Sequence, residues 1–348
     1  MAFSAQTNSS HNQPAATGVL LTNLGTPDAP TTAAVRSYLK EFLSDPRVVE
    51  QPRWLWWLVL NGVILNIRPA KSAASYRKVW GNDGSPLLAI SKRQQKKIAQ
   101  ALSQISEAST STTPIHVELA MRYGNPSIAA AMQSLRAKNC KKIIVLPLYP
   151  QYSATTTAST LDAVADELKK WRRVPALHFI DSYYDNPDYI ETLATSVRSY
   201  WDKNGKADRL LMSFHGIPER YFKAGDPYPC HCRKTARLLR EALGLSEEAA
   251  QISFQSRFGR ERWMHPYTDA TLKQWGADGV GSVDVICPGF SADCLETMEE
   301  VAIENRDYFL KAGGAQYRYI PALNDQDSHI EVLTNMLLPF LSLTTNNQ

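Results

Sequence analysis

Apolar and polar positions follow two patterns along the chain, and together they predict an α/β fold. Short runs rich in β-branched residues are typical of buried strands, whereas longer segments with an apolar residue every three or four positions indicate helices. The eight predicted strands are 18–24, 115–121, 142–148, 177–181, 209–214, 251–255, 283–287 and 316–320. Helical periodicity lies between them, at 87–102, 155–171, 188–202, 234–243 and 295–310. Because strands and helices alternate, we expect parallel, doubly wound sheets with helices on both faces.

The strands fall into two groups of four, which predicts two similar Rossmann-like domains of the flavodoxin type with a cleft between them. The predicted segments are an N-terminal tail (1–16), a first half (17–180), a second half (181–325) and a C-terminal helix and tail (326–348). A Gly-x-Pro turn follows Leu24 in the first half and His215 in the second. The same alignment pairs Ala158 with Glu296, which suggests an internal duplication whose reactive side chains lie only in the second copy.

His215 is the residue around which the second half is predicted to be organised. It ends an apolar strand, and Gly216 and Pro218 stop that strand abruptly. In open α/β sheets ligands collect at the carboxyl ends of the strands. With the strand order 2-1-3-4, the first and third strands are neighbours. Glu296, which opens the helix after the third strand, then faces His215 across one crevice although 81 residues separate them.

Three glutamates recur every four residues in the helix that Glu296 opens. Glu296, Glu300 and Glu304 are predicted to lie on one helix face. Like charges at this spacing repel, and no Lys or Arg before Arg306 offsets them. A line of carboxylates leading to a histidine would conduct divalent cations or protons. Two simpler interpretations stay open, namely a solvated acidic face and an N-terminal capping box formed by Asp293 and Glu296.

Composition limits the classes of function. The length of 348 residues predicts about two domains, and 44% hydrophobic with 21% charged residues is ordinary for a globular protein. The 38 basic and 34 acidic residues give a net charge of +4 without a basic block, which argues against nucleic-acid binding. The polar N-terminal tail lacks the apolar core of a secretory signal, so we expect a cytoplasmic location.

The cysteines are few and odd in number. Five cysteines in a chain of this length are typical of reduced thiols in a cytosolic protein. Cys230-His231-Cys232 has the composition of half a metal site. Zinc and iron–sulfur sites draw their ligands from separated pairs, however, and the chain offers no second pair of suitable spacing. Reduced thiols are therefore the favoured interpretation.

An apolar segment at 54–67 contains three tryptophans. As a helix it would be about 21 Å long, which is shorter than the roughly 30 Å hydrocarbon core of a bilayer. It is interpreted as a core helix, as a lip over a flat apolar ligand, or as a contact with a membrane surface. Arg68 and Tyr76 follow it closely. Arg122 and Tyr123 end the second predicted strand and are either part of a surface turn or crevice residues.

Short motifs spread over residues 17–340 are specific when they are taken together. They are Leu-Thr-Asn-Leu-Gly-Thr-Pro at 21–27, Ser-Tyr-Arg-Lys-Val-Trp at 75–80, Gly-Ser-Pro at 84–86, Met-Arg-Tyr at 121–123, Leu-Tyr-Pro-Gln-Tyr-Ser at 148–153, Ser-Phe-His-Gly-Ile-Pro at 213–218, Gly-Asp-Pro-Tyr-Pro at 225–229, Phe-Gln-Ser at 254–256 and Pro-Gly-Phe-Ser-Ala-Asp-Cys-Leu-Glu-Thr at 288–297. In these motifs the chain resembles the ferrochelatases of haem biosynthesis.

The resemblance assigns roles to single residues. The family's invariant histidine falls on His215 and its essential glutamate on Glu296, so both are expected to be catalytic and to bind the metal. A proton or metal path of further acids falls on Asp293, Glu300 and Glu304. The porphyrin contacts fall on Leu24, Arg68, Tyr76, Ser85, Arg122 and Tyr123. Whether His215 acts mainly as a base or mainly as a ligand stays open.

The resemblance implies a lyase that inserts ferrous iron into protoporphyrin IX with release of two protons, the last step of haem biosynthesis. Iron is then a substrate, and no tightly bound cofactor is expected. Some members hold an iron–sulfur cluster through C-terminal cysteines, but no cysteine follows Cys294 here, so a cluster is not expected. The expected partners are protoporphyrin IX and ferrous iron, with peripheral membrane contact through 54–67.

Two alternatives remain at the level of sequence. A chelatase of similar build could load cobalt or nickel into another tetrapyrrole. Two α/β layers with a cleft also describe non-catalytic solute-binding proteins, although the lack of a signal peptide argues against that class.

Overall fold

A computed structural model describes residues 14–109, 113–259 and 261–341, which form two compact units. Unit 1 contains the described residues up to Leu148, Ala154–Asp181 and those from Asp325 onward, and unit 2 contains Tyr149–Ser153 and Ser182–Asn324. The sequence predicted boundaries at 180/181 and 325/326, whereas the chain changes unit at 148/149, 153/154, 181/182 and 324/325. Most of the predicted N-terminal tail (1–13) and the last seven residues (342–348) lie outside the described residues.

Each unit is built on one four-stranded parallel sheet. The sheet of unit 1 consists of β1 (Ala16–Thr26), β2 (Ile115–Gly124), β3 (Cys140–Pro147) and β4 (Ala176–Phe179), in the order β2-β1-β3-β4. The sheet of unit 2 consists of β5 (Arg209–His215), β6 (Ala250–Gln255), β7 (Ser282–Ile286) and β8 (Gln316–Ile320), in the order β6-β5-β7-β8. The predicted α/β class, the two parallel four-stranded sheets and the order 2-1-3-4 are confirmed.

Helices connect the strands. They are α1 (Thr32–Ser44), α2 (Arg53–Val59), α3 (Leu65–Val79), α4 (Pro86–Ala108), α5 (Ile128–Ala137), α6 (Ser159–Leu168), α7 (Pro187–Asn204), α8 (Glu219–Lys223), α9 (Tyr228–Ala242), α10 (Thr268–Ala277), α11 (Arg306–Lys311) and α12 (Asp327–Leu337). π-Helical stretches occupy Leu60–Ile64, Ala154–Ala158 and Glu296–Asn305. Side-chain caps begin α1, α5 and α7, where Thr31, Ser127 and Asn186 each accept from the amide three residues on.

Continuous apolar runs explain the burial of the central strands. In unit 1, Val19, Leu20 and Leu21 of β1 have no exposed surface, as expected for a parallel strand that is covered on both faces. Met132 and Leu135 of α5 pack on one side of this sheet. In unit 2 the corresponding core is formed by Leu211, Leu272, Val283, Val285, Val301 and Phe309. Each such side chain contributes about 1.5–3 kcal/mol by leaving water, so the cores fix both sheets.

Two short segments belong to a different unit from the one that their position in the sequence suggests. The C-terminal helix α12 lies with unit 1, where Lys97 of α4 forms ion pairs with Asp327 (2.8 Å) and Asp325 (3.7 Å). Residues 149–153 lie with unit 2, where Gln151 Nε2 donates to Thr235 Oγ1 (3.0 Å) and Ser153 Oγ to Asp226 (2.9 Å). These contacts are long-range in the sequence, so local periodicity does not predict them.

None of the described helices is both long enough and apolar enough to cross a membrane.

Candidate active site

His215 is the last residue of β5, at the carboxyl edge of the sheet of unit 2. It pairs with Gln255 in β6, and the chain then turns at Gly216, whose amide donates to Gln255 O (2.8 Å). A Cβ atom at Gly216 would lie only 2.9 Å from that carbonyl oxygen, so the close approach requires glycine. The turn therefore leaves the His215 ring half-buried at the edge where ligands bind in this fold.

The tautomer of His215 follows from one hydrogen bond. Nδ1 lies 2.7 Å from the backbone oxygen of Gly216. A carbonyl oxygen only accepts, so Nδ1 carries the proton in the neutral imidazole. Nε2 then holds the free lone pair, which can accept a proton or coordinate a metal ion. The same hydrogen bond from Nδ1 to Gly216 O also fixes the orientation of the ring.

Glu296 begins a π-helical stretch that follows β7, the strand next to β5. A helix was predicted for 295–310, but the ten residues Glu296–Asn305 are π-helical, and the α-helix Arg306–Lys311 follows them. π-Helical segments are rare and occur frequently at functional sites. Burial falls along the acidic line, because Glu296 and Glu300 are partly buried while Glu304 is exposed. The three carboxylates thus run from the interior towards the surface of unit 2.

Glu300 interacts with Ser256, His215 and Glu296 in unit 2. Its carboxylate accepts from the amide of Ser256 (2.8 Å) and from the Ser256 hydroxyl. Burial raises the pKa of Glu300, and the negative charge of Glu296 adds to that effect, although the bonds from Ser256 and the nearby His215 oppose it. His215 and Glu296 are therefore both within electrostatic reach of Glu300.

Ser256 was not assigned a role from the sequence. It follows β6 directly and adopts a left-handed conformation (φ +65°), which is unusual for a residue other than glycine. This backbone conformation accompanies the bonds from both its amide and its hydroxyl to Glu300. The only sequence signal for it was the motif Phe-Gln-Ser at 254–256.

Asp293 does not form the capping box with Glu296. Its amide donates to Asn324 Oδ1 (2.8 Å) instead, and the π-helical stretch begins without a side-chain cap. The buried carboxylate accepts from Thr297 Oγ1 (2.9 Å), Tyr319 OH (2.6 Å) and Asn324 Nδ2 (2.7 Å). Both of its oxygens are thus occupied by protein donors, which anchor the start of the acidic helix to the end of β8. Its place on a metal or proton path stays a prediction.

A pocket of about 160 Å³ lies at the outer end of the acidic line. Its lining includes Ser256, Asp269, Glu300, Glu304, Asn305 and Tyr308. Tyr308 OH donates to Glu304 (2.9 Å), and Asp269 forms ion pairs with Arg257 (3.2 Å) and Lys273 (3.1 Å). Sequence reasoning missed Asp269, because it lies on α10, far from the acidic helix in the sequence.

Four of the predicted porphyrin contacts come together at the carboxyl edge of the sheet of unit 1. They are Leu24, Ser85, Arg122 and Tyr123. Ser85 Oγ accepts from Thr26 Oγ1 (2.8 Å) at the end of β1, and Tyr123 pairs with Gly25 across β1 and β2. Gly25 has φ +114°, and a Cβ there would lie 1.8 Å from Tyr123 O. Glycine at this position therefore brings the ends of β1 and β2 together.

Arg122 is held by a buried network. Its Nη2 donates to Asp45 Oδ2 (2.5 Å), and its Nε donates to Ser159 O (2.9 Å) and Oγ (2.6 Å). Tyr123 is fully buried, its hydroxyl donates to Asp45 (2.8 Å), and burial raises its pKa. The Tyr123 hydroxyl thus points into the protein, and its contact with porphyrin stays a prediction. Asp45 and Ser159 lie in none of the sequence motifs given above.

Arg68 and Tyr76 lie on α3. Arg68 is partly buried, and this burial lowers the pKa of its guanidinium. Tyr76 is buried and packs edge-on against Trp80, with ring centroids 5.9 Å apart. These residues therefore lie in the helix that continues the Trp-rich segment.

The Trp-rich segment has two different faces. Leu60, Ile64 and Leu65 pack against α1, and Trp56 Nε1 donates to Leu43 O (2.6 Å). The opposite face is open, with exposed fractions of 71% for Trp54, 63% for Trp57 and 68% for Ile67. The core-helix interpretation thus describes one face only.

The two cysteines of the motif Cys230-His231-Cys232 differ in solvent exposure. Cys230 is exposed and Cys232 is buried, while His231 Nδ1 accepts from the Tyr152 amide (3.2 Å) and its ring stacks on Tyr184. Among residues 14–109, 113–259 and 261–341, no group of three or more His, Cys, Asp or Glu is arranged to hold a metal ion.

Comparison with known proteins identifies the family to which the chain belongs. The family model for ferrochelatase matches residues 16–339. A ferrochelatase of Thioalkalivibrio sulfidiphilus is 53% identical over 338 residues, which cover 97% of this chain and 90% of that protein. A ferrochelatase of Hydrogenovibrio crunogenus is 55% identical over 342 residues, with 97% and 89% covered.

Solved structures with the same fold are distant in sequence. SirB from Bacillus subtilis with Fe3+ has a TM-score of 0.54 at 10% identity and covers 94% of this chain and 96% of its own. CbiX, described as the terminal enzyme of sirohaem biosynthesis in denitrifying bacteria, has a TM-score of 0.51 at 12% identity, with 93% and 100% covered. At this identity the two structures support the fold alone.

Proposed function

The chain belongs to the ferrochelatase family, and from that premise we propose how its residues divide the work of metal insertion. The protein is an enzyme that inserts ferrous iron into protoporphyrin IX, the last step of haem biosynthesis. Two pyrrole N–H bonds break, iron–nitrogen bonds form, and two protons leave. The protein must therefore strip water from the iron, accept protons and hold a planar macrocycle.

His215 is the proton acceptor or metal ligand at the reacting centre. The observation that carries this assignment is the bond from Nδ1 to Gly216 O, which leaves the Nε2 lone pair free at the carboxyl edge of β5. Glu296 supplies an oxygen ligand from the adjacent element. Imidazole nitrogen and carboxylate oxygen both suit ferrous iron. Two such ligands without a closed cage also allow release, which a substrate metal requires.

Glu300 and Glu304 extend this site towards solvent. The fall in burial from Glu296 to Glu304 supports a path along which hydrated cations approach or protons leave. The raised pKa of Glu300 supports a role in proton transfer, because a carboxyl that titrates closer to neutral pH exchanges protons more readily. Asp293 anchors the inner end of this helix through Tyr319 and Asn324.

The porphyrin contacts come from unit 1. Leu24 offers an apolar side chain at the end of β1, and Ser85 and Arg122 offer polar ones nearby. Guanidinium groups pair with carboxylates through two parallel hydrogen bonds, so Arg68 and Arg122 suit the propionates of the ring. Tyr76 and Tyr123 are the remaining proposed contacts with the ring, and both side chains are buried.

The function is tested by the fluorescence of protoporphyrin IX, which is lost when iron enters the ring. We expect His215→Ala to reduce the rate of iron insertion at least about 100-fold while porphyrin still binds. His265→Ala is the matched control, because His265 is an exposed histidine of the same unit. A His215→Ala enzyme with undiminished turnover would contradict the assignment. Loss of fluorescence with cobalt but not with iron would instead indicate a different chelatase.

No tightly bound cofactor is expected beyond the iron substrate. An iron–sulfur cluster requires about four thiolates, whereas burial raises the pKa of Cys232, Cys287 and Cys294 and disfavours their thiolate forms. Iron and acid-labile sulfide in the purified protein measure this expectation directly. Stoichiometric sulfide would contradict it.

The open face of the Trp-rich segment supports peripheral contact of a cytoplasmic enzyme with a membrane. Trp54, Trp57 and Ile67 form an apolar surface, and tryptophan favours the bilayer interface. We expect the parent protein to co-sediment with phospholipid vesicles and the double variant Trp54→Ser, Trp57→Ser to lose most of this binding. Val174→Ser, which changes an exposed apolar residue elsewhere, is the control. A parent protein that stays in the supernatant refutes membrane contact.

A further inference from the structure

We propose that Asp45 is a positioning residue for porphyrin binding, which acts by fixing the guanidinium of Arg122 at the carboxyl edge of the sheet of unit 1. This inference rests on the proposed role of Arg122 as a substrate contact, and it adds the residue that orients the Arg122 guanidinium for that contact. Asp45 follows the last residue of α1 and is 77 positions away from Arg122 in the sequence.

The carboxylate of Asp45 is surrounded by donors. Oδ2 accepts from Arg122 Nη2 (2.5 Å), Tyr123 OH (2.8 Å) and Ser159 Oγ (2.6 Å). Oδ1 accepts from the Arg47 amide (2.7 Å). Only 4% of the Asp45 side chain is exposed. Four donors thus converge on the carboxylate, three on Oδ2 and one on Oδ1, so the group has little freedom to move.

The partners of Asp45 also bind each other. Ser159 Oγ donates to Asp45, and its remaining lone pairs accept from Arg122 Nε (2.6 Å). Tyr123 OH lies 3.0 Å from the same hydroxyl. A guanidinium has five N–H groups in one plane. Because Nε and Nη2 are bound inside this network, the plane of Arg122 is fixed in two directions.

The remaining edge of Arg122 is the part that a ligand can reach. The side chain is 17% exposed, and the residue lies beside Leu24 at the end of β2, the edge where ligands bind in this fold. Buried ion pairs often add little stability compared with apolar residues of the same volume, so we infer that this one is present for the orientation that it imposes. The network is therefore interpreted as a device that holds three N–H groups in a fixed direction for a propionate of the substrate.

The test is the Michaelis constant for protoporphyrin at saturating iron. We expect Asp45→Asn to raise KM roughly tenfold and to change kcat less than about twofold, because the loss concerns binding of the ring rather than chemistry. Arg122→Met should raise KM by a similar factor, and the double variant should be no worse than Arg122→Met alone. Asp162→Asn is the control, since Asp162 pairs with Arg47 on the surface (2.8 Å).

Each result has a defined consequence. If Asp45→Asn raises KM equally in the parent and in the Arg122→Met protein, Asp45 acts independently of Arg122 and the inference is wrong. If Arg122→Met leaves KM unchanged, Arg122 does not contact the ring and the inference falls, while intact iron insertion shows that the enzymatic function stands. If Asp45→Asn does not fold, Ser159→Ala is measured in the same cycle, and it should raise KM only when Arg122 is present.

Discussion

Replacing Glu300 by glutamine is expected to stabilise the protein at neutral pH and to slow iron insertion. Burial and the charge of Glu296 raise the pKa of Glu300 above its ordinary value of 4.5, against the opposing effects of Ser256 and His215. A carboxyl with a raised pKa binds its proton more tightly in the folded state than in the unfolded state. Its contribution to stability is therefore complete below pH 4.5 and is lost as the pH rises through the folded pKa.

The size of the effect follows from what the substitution keeps and removes. A glutamine oxygen can still accept from the Ser256 amide, which lies 2.8 Å from the carboxylate, but no charge is buried. Each unit of raised pKa corresponds to about 1.4 kcal/mol of folding free energy. Single stabilising substitutions commonly give about 0.5–2 kcal/mol, and we expect a gain in this range at neutral pH and none under acidic conditions.

Urea unfolding, followed by tryptophan fluorescence over a series of pH values, measures this prediction. The free energy of unfolding of Glu300→Gln should fall less steeply with rising pH than that of the parent. Glu304→Gln, which changes the exposed end of the same line, should stay within about 0.5 kcal/mol of the parent. A Glu300→Gln protein that is less stable than the parent at neutral pH, or that keeps the full pH slope, refutes the reasoning.

Three further predictions concern stability. Gly25→Ala should lower the free energy of unfolding by more than about 1 kcal/mol in a thermal or urea titration, because φ is +114° and the new Cβ would meet Tyr123 O. Arg318→Met should cost about 3–5 kcal/mol, since it leaves the fully buried Asp284 without its ion pair, yet kcat of the folded enzyme should not change. Burial opposes it, but hydrogen bonds from Ser159, the Arg47 amide and Tyr123 lower the pKa of Asp45. The contribution of Asp45 to the free energy of unfolding is therefore lost as the pH falls through that pKa. Asp45→Asn should accordingly make the free energy of unfolding fall less steeply at acidic pH.

The position of His215 could be predicted from a local pattern in the sequence, and the strand order from a rule of this fold class. An apolar run that ends in Gly216 and Pro218 marks the carboxyl end of β5 without any tertiary information. The rule that the first and third strands of this fold are neighbours then places Glu296, after β7, beside β5.

Other parts of the site depend on contacts that no local pattern contains. Asp45 lies 77 residues from Arg122 and 114 from Ser159, and its own surroundings suggest only a turn before Pro46. The π-helical form of Glu296–Asn305 was also missed, because carboxylates four residues apart share one face in either kind of helix. The capping interpretation of Asp293 failed since Asn324, 31 residues away, takes the amide that a capping box would use.

The two units place different chemistry on the same scaffold. Both sheets have the same strand order, and a π-helical stretch follows the third strand in each unit, at Ala154–Ala158 and at Glu296–Asn305. At equivalent strand ends unit 1 carries Leu24 and unit 2 carries His215. An apolar side chain suits contact with a macrocycle, whereas an imidazole suits proton transfer or metal binding. Because the backbone frame is shared, we propose that the difference in residue type at these strand ends contributes to separating ring binding in unit 1 from metal handling in unit 2.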